Sequence, residues 1–95
     1  MIPTTMKEVP NKRFNEERTT VSLLTICLNN PGDRGLDLVT IRTRNRVFDA
    51  MEGVKEGDLI KLEDADYAVA QEAVRAARWA KPDKHIIQFA ELFGL

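Results

Sequence analysis

The chain has 95 residues, 43% of them hydrophobic and 31% charged, with a formal net charge of −1. That composition is globular and the length suits one core, which excludes two independently stable domains. A near-neutral balance with an acidic pI of 5.8 argues against a general polyanion binder. The charge is uneven all the same, with 8 Lys/Arg against 6 Asp/Glu in residues 1–50 (+2) and 6 against 9 in residues 51–95 (−3).

In chain order, residues 1–18 hold Pro3 and Pro10 and a mixed-charge stretch with no sustained period. They read as a flexible N-terminal arm, with residues 19–95 forming a single α+β domain. Ile2, Met6, Val9 and Phe14 are apolar points by which the arm could dock on a neighbour. Thr19 to Leu28 (TTVSLLTICL) is rich in β-branched residues and apolar on both alternating faces, which predicts a buried strand ended by the Asn-Asn-Pro-Gly-Asp turn. The only cysteine, Cys27, lies inside this run. It is expected to pack as a small hydrophobe, with no disulfide framework.

Leu36 to Gly53 admits two readings. LDLVTIRTR has strand-like composition, so a strand over Leu38 to Thr43 followed by a helix through Asn45 to Glu52 is the preferred one, with Gly53 at the helix C-terminus. Read instead as one helix, the segment takes Asp37 as its N-cap, and Leu38, Ile41, Phe48 and Met51 approximate an apolar stripe interrupted at Arg44 and Asn45. Asp58 to Glu63 predicts a short strand. A helix then follows from a cap at Asp64 or Asp66 to about Trp79, with small residues along its Tyr67, Ala70, Val74, Ala77 stripe. Pro82 suits the first turn of a last helix that carries Ile86, Ile87, Phe89, Ala90, Phe93 and Leu95, more apolar surface than a small core should need. The expected architecture is a two- or three-stranded sheet packed against two or three helices.

Chemistry-bearing patterns are sparse. His85 stands beside Lys84 with no nucleophile near it in sequence, and one His and one Cys fall short of a zinc set. Glu63, Asp64 and Asp66 are explained by a helix start, and Gly32 and Gly35 by a turn. The expectation is no catalytic residue, no metal and no cofactor. Two features read as contact surfaces. Arg42, Arg44 and Arg46, with Arg34 upstream, would form a guanidinium row if extended, and would spread around a helix. Ile86, Phe89 and Phe93 would form an apolar face, and Trp79 either joins it or locks the last two helices together as core. A protein partner, a second copy or another protein, is the expected ligand, and nucleic acid bound by the Arg42/Arg44/Arg46 row is the alternative. No stretch approaches the roughly 20 apolar residues of a membrane span, and no basic segment with an apolar run opens the sequence, so a cytoplasmic location is expected.

The segments RTRNRVFDAME, GDLIKLEDADY and RWAKPDKHIIQF, within roughly Ile41 to Phe89, resemble small proteins encoded by tailed bacteriophages and prophages. The resemblance implies a phage accessory protein that works by binding, in particle or tail assembly or on a host protein, within the bacterial host cytoplasm. It carries over no site residue.

Overall fold

A computed structural model describes residues 6–32, 35–79 and 81–95. Its elements are β1 (Met6–Pro10), α1 (Thr20–Asn29), α2 (Leu38–Met51), β2 (Leu59–Glu63), α3 (Asp64–Ala76) and α4 (Lys84–Glu91). The fold is α+β: among the described residues, one two-stranded antiparallel sheet and four helices surround a single apolar cluster.

β2 stands where the sequence puts it. Its exposure alternates strictly, with Ile60 and Leu62 inward and Leu59, Lys61 and Glu63 outward. Its partner comes from the segment read as an arm. Met6–Pro10 pairs with Leu59–Glu63 in the register Val9↔Ile60, and Val9 is buried. Over residues 6–10 the expected arm is therefore half of the sheet. Ile2 and Pro3 lie outside the described residues.

Thr19 to Leu28 is a helix, not the expected strand. Thr19 caps it: its hydroxyl oxygen accepts from the Ser22 N–H (3.2 Å), while the Ser22 hydroxyl oxygen accepts from the Thr19 N–H (2.8 Å). This reciprocal box satisfies two donors that a helix start leaves unpaired. The buried residues Thr20, Leu23, Leu24, Cys27 and Leu28 follow the 3–4 spacing of a helix face.

α2 is likewise one helix from its first turn, correcting the strand expected over Leu38 to Thr43. The Asp37 carboxylate accepts from the Thr40 N–H at 2.7 Å, a bond that holds this carboxyl below its ordinary pKa. Gly53, at φ +75°, takes the left-handed turn beyond the helix end. Since Thr19 to Leu28 is helical while Leu38 to Thr43 only lengthens the helix expected after it, the helices among the described residues number four rather than two or three.

α3 ends at Ala76, short of Trp79, and starts without a side-chain cap. Asp66 is buried and faces Arg46 instead (3.3 Å). Ala70 and Ala73 give α3 a narrow side on which α1 and α2 both pack. α4 is capped by Asp83, whose carboxylate accepts from the His85 N–H (2.9 Å), so Pro82 precedes the cap.

A polar knot ties these pieces together. The buried Asn11 side chain accepts from the Val21 N–H (3.1 Å) and donates to the Val54 carbonyl (3.4 Å). Thr20 Oγ1 donates to the Pro10 carbonyl (2.8 Å) and accepts from the Lys12 N–H (2.9 Å). Arg13 clasps Glu56 with two bonds of 2.6 and 3.1 Å, which raises the guanidinium pKa and lowers that of the carboxyl.

Candidate functional site

The arginine row does not form. Helical geometry separates successive residues by about 100°, so three alternate arginines diverge. Arg44 turns inward, and its Nη1 donates to the carbonyls of Asn30 (2.7 Å), Leu28 (2.9 Å) and Cys27 (3.5 Å), closing the C-terminal end of α1. Arg46 pairs with Glu63 (3.4 Å) and Asp66 (3.3 Å). Arg42 alone of the three is exposed without an ion pair among the described residues. Arg34 lies outside the described residues.

The apolar face expected on the last helix is also revised. Phe89 and Phe93 are 0% exposed and Ile86 is buried, so the three are core. The Phe89 ring meets Phe14 and Phe93 edge-on (centroids 6.3 and 5.4 Å), and Phe93 stacks on Tyr67 (5.9 Å). Trp79 is half-buried and borders a shallow cleft of about 200 Å³ with Ile86, beside the Arg18–Asp83 ion pair (3.4 Å). Trp79 and Ile86 thus border one cleft, while the arginines lie on another element.

Three exposed large apolar residues lie together where the sequence predicts a strand, while Met6, Ile26, Leu59, Ile87 and Leu95 are spread over the rest of the chain. Leu38, Val39 and Ile41 are 60%, 70% and 40% exposed on the first turns of α2. Their exposure follows from helix lengths. The end of α1 lies at Arg44, while Val21 and Thr25 near its start border the same groove as Phe48 and Met51, so the two helices run antiparallel. A 10-residue α1 beside a 14-residue α2 leaves the N-terminal turns of α2 uncovered. The one-helix reading from Asp37 contains this signal, since its Leu38 and Ile41 cannot share the inward side that holds Val47 and Met51.

No protein family, curated protein or solved structure matches the chain. Among the described residues, no group of three or more His, Cys, Asp or Glu side chains could hold a metal ion, and no helix is long and apolar enough to cross a membrane. His85 Nδ1 lies 3.5 Å from the Gln88 side-chain oxygen.

Cys27 is buried in the core, and burial pushes its thiol up to about 11, against a smaller opposing pull from Arg44. The folded protein is therefore expected to resist a thiol reagent such as DTNB at mildly alkaline pH and to react stoichiometrically once denatured. The unfolded thiol ionises first as pH rises. Its contribution to stability is thus complete below about pH 9 and is lost towards about pH 11. Denaturation midpoints that fall less over this window in Cys27→Ala than in the parent would show the linkage, and identical slopes would refute it.

Proposed function

We propose that the chain is a non-enzymatic protein-interaction module, an accessory protein of phage type that acts in particle or tail assembly or on a host protein in the bacterial cytoplasm. The observation that carries the binding role is the cluster of Leu38, Val39 and Ile41 on the uncovered turns of α2. A small domain rarely leaves three neighbouring large aliphatic side chains in water unless something covers them. The buried, poorly ionised Cys27 and a His85 whose contact is an amide support a role in binding over one in catalysis. The phage context comes from the resemblance over Ile41 to Phe89. Flanking tail or capsid genes would support it, and a neighbourhood of housekeeping genes would refute it.

The binding role is tested by placing a photo-crosslinking amino acid at Val39, and separately at the exposed Arg75 of α3, in the cells that encode the chain. A discrete protein adduct identified by mass spectrometry at Val39 and missing at Arg75 is expected. No adduct at Val39, or the same adducts from both positions, would overturn the reading.

A further inference from the structure

The outward side of α2 has the pattern of a helix that pairs with a copy of itself. Leu38, Ile41, Asn45 and Phe48 follow one another at spacings of three, four and three, the a/d seam of a two-helix contact. Leu38, Ile41 and Asn45 are exposed, and Phe48 is half-buried against α1. Arg42 and Asp49 flank this seam on the same side, seven residues apart and of opposite charge. Both are exposed and neither makes an ion pair among the described residues.

We propose that two copies of this chain associate through α2, antiparallel about a two-fold axis at Asn45, with Arg42 of each copy facing Asp49 of the other. The charges choose this occupant and this direction. In a two-fold contact each residue meets its counterpart's partner, so a surface that carries its own complement on either side of one point is self-complementary. Here the point lies at Asn45. Antiparallel pairing about it brings Arg42 against Asp49 twice, whereas in a parallel pair each flank of the seam faces the partner's opposite flank and the two residues would not meet.

The same arrangement covers the exposed apolar end of the seam. Leu38 and Ile41 of one copy reach the other end of the partner's helix, where Val21, Thr25, Phe48 and Met51 border a shallow groove of about 370 Å³ rimmed by Asp49 and Glu52. The turns that α1 is too short to cover are thereby covered by the second copy. Asn45, on the axis, meets its own counterpart, and a lone seam asparagine paired with itself fixes register at a cost in affinity. The contact rests on the chain being a binding module, but it can fail while that reading stands, because crosslinking at Val39 to a different protein would retain the module without the self-contact.

Sedimentation velocity over a wide concentration range tests it, with circular dichroism verifying that each variant is folded. The parent chain is expected to move from monomer to dimer as concentration rises. Arg42→Asp and Asp49→Arg should each weaken the dissociation constant roughly tenfold, because symmetry repeats every repulsion twice. The double variant R42D/D49R should recover most of that loss, and Ile41→Asp should abolish the dimer. A chain that stays monomeric throughout, a dimer indifferent to both single reversals, or a double variant no tighter than the single ones would overturn the proposal.

Discussion

Phe89→Ala is expected to cost about 3–5 kcal/mol of folding free energy, and Phe93→Ala a similar amount. Both rings are fully buried, and each truncation would open a cavity within one aromatic cluster, Phe14–Phe89–Phe93–Tyr67. That cluster joins α4 to α3 and to the segment before α1. Its backbone support is slight: the Gln71 side-chain amide donates to the Phe93 carbonyl at 2.7 Å. A domain of this size has about 5–15 kcal/mol in total, so the substitution removes a large share of it. In urea titrations the midpoint should fall with little change in slope. Ile87→Ala, on the exposed side of the same helix, should shift stability by no more than about 0.5 kcal/mol. A Phe89→Ala cost below about 1 kcal/mol would put that ring on the surface and restore α4 as the contact face.

The same helix shows what could and could not be read from the sequence. Its apolar residues are plain in the chain, but composition does not say how much surface a core can absorb. Tyr67 and Phe14, distant in sequence, are what enclose Phe89 and Phe93. β2 and the body of α3 are legible because each has a clean period, while the acidic residues that suggest a cap for α3 make no capping bond and the helix stops at Ala76. α1 is not legible, because a run apolar on every side satisfies a two-residue and a 3.6-residue period equally. What decided it was the Thr19–Ser22 box, two hydroxyls three residues apart that suit a helix start and have no use in a strand interior.

The N-terminal strand was hidden for a different reason. Met6–Pro10 has one buried side chain, Val9, and its pairing partner lies about fifty residues away. Local pattern contains no trace of that pairing, nor of the Asn11 and Thr20 bonds that hold the strand's exit against α1 and the turn before β2. The arginines stand out in the sequence by their spacing alone. Their roles depend on which way α2 faces, and that is set by Val47 and Met51.

Arg44 is the residue on which this difference is most measurable. Arg44→Met keeps the aliphatic stem and removes the guanidinium from the carbonyls of Cys27, Leu28 and Asn30. Helix C-terminal carbonyls without partners are costly where water does not reach them, and these bonds are charge-assisted, so a loss of about 1.5–3 kcal/mol is expected. Arg42→Ala, two residues away on the exposed side, should stay within about 0.5 kcal/mol. Arg44→Lys should recover only part of the loss, since an ammonium supplies the favourable charge at the helix end but not the planar fork. Cys27 reports locally on the same event, because it lies within the last turn that Arg44 closes. Its reaction with a thiol reagent should accelerate in Arg44→Met by more than the global loss of stability accounts for. Equal changes in the two would mean that the end of α1 opens only when the whole domain unfolds, and that Arg44 contributes to overall stability without holding that turn in particular.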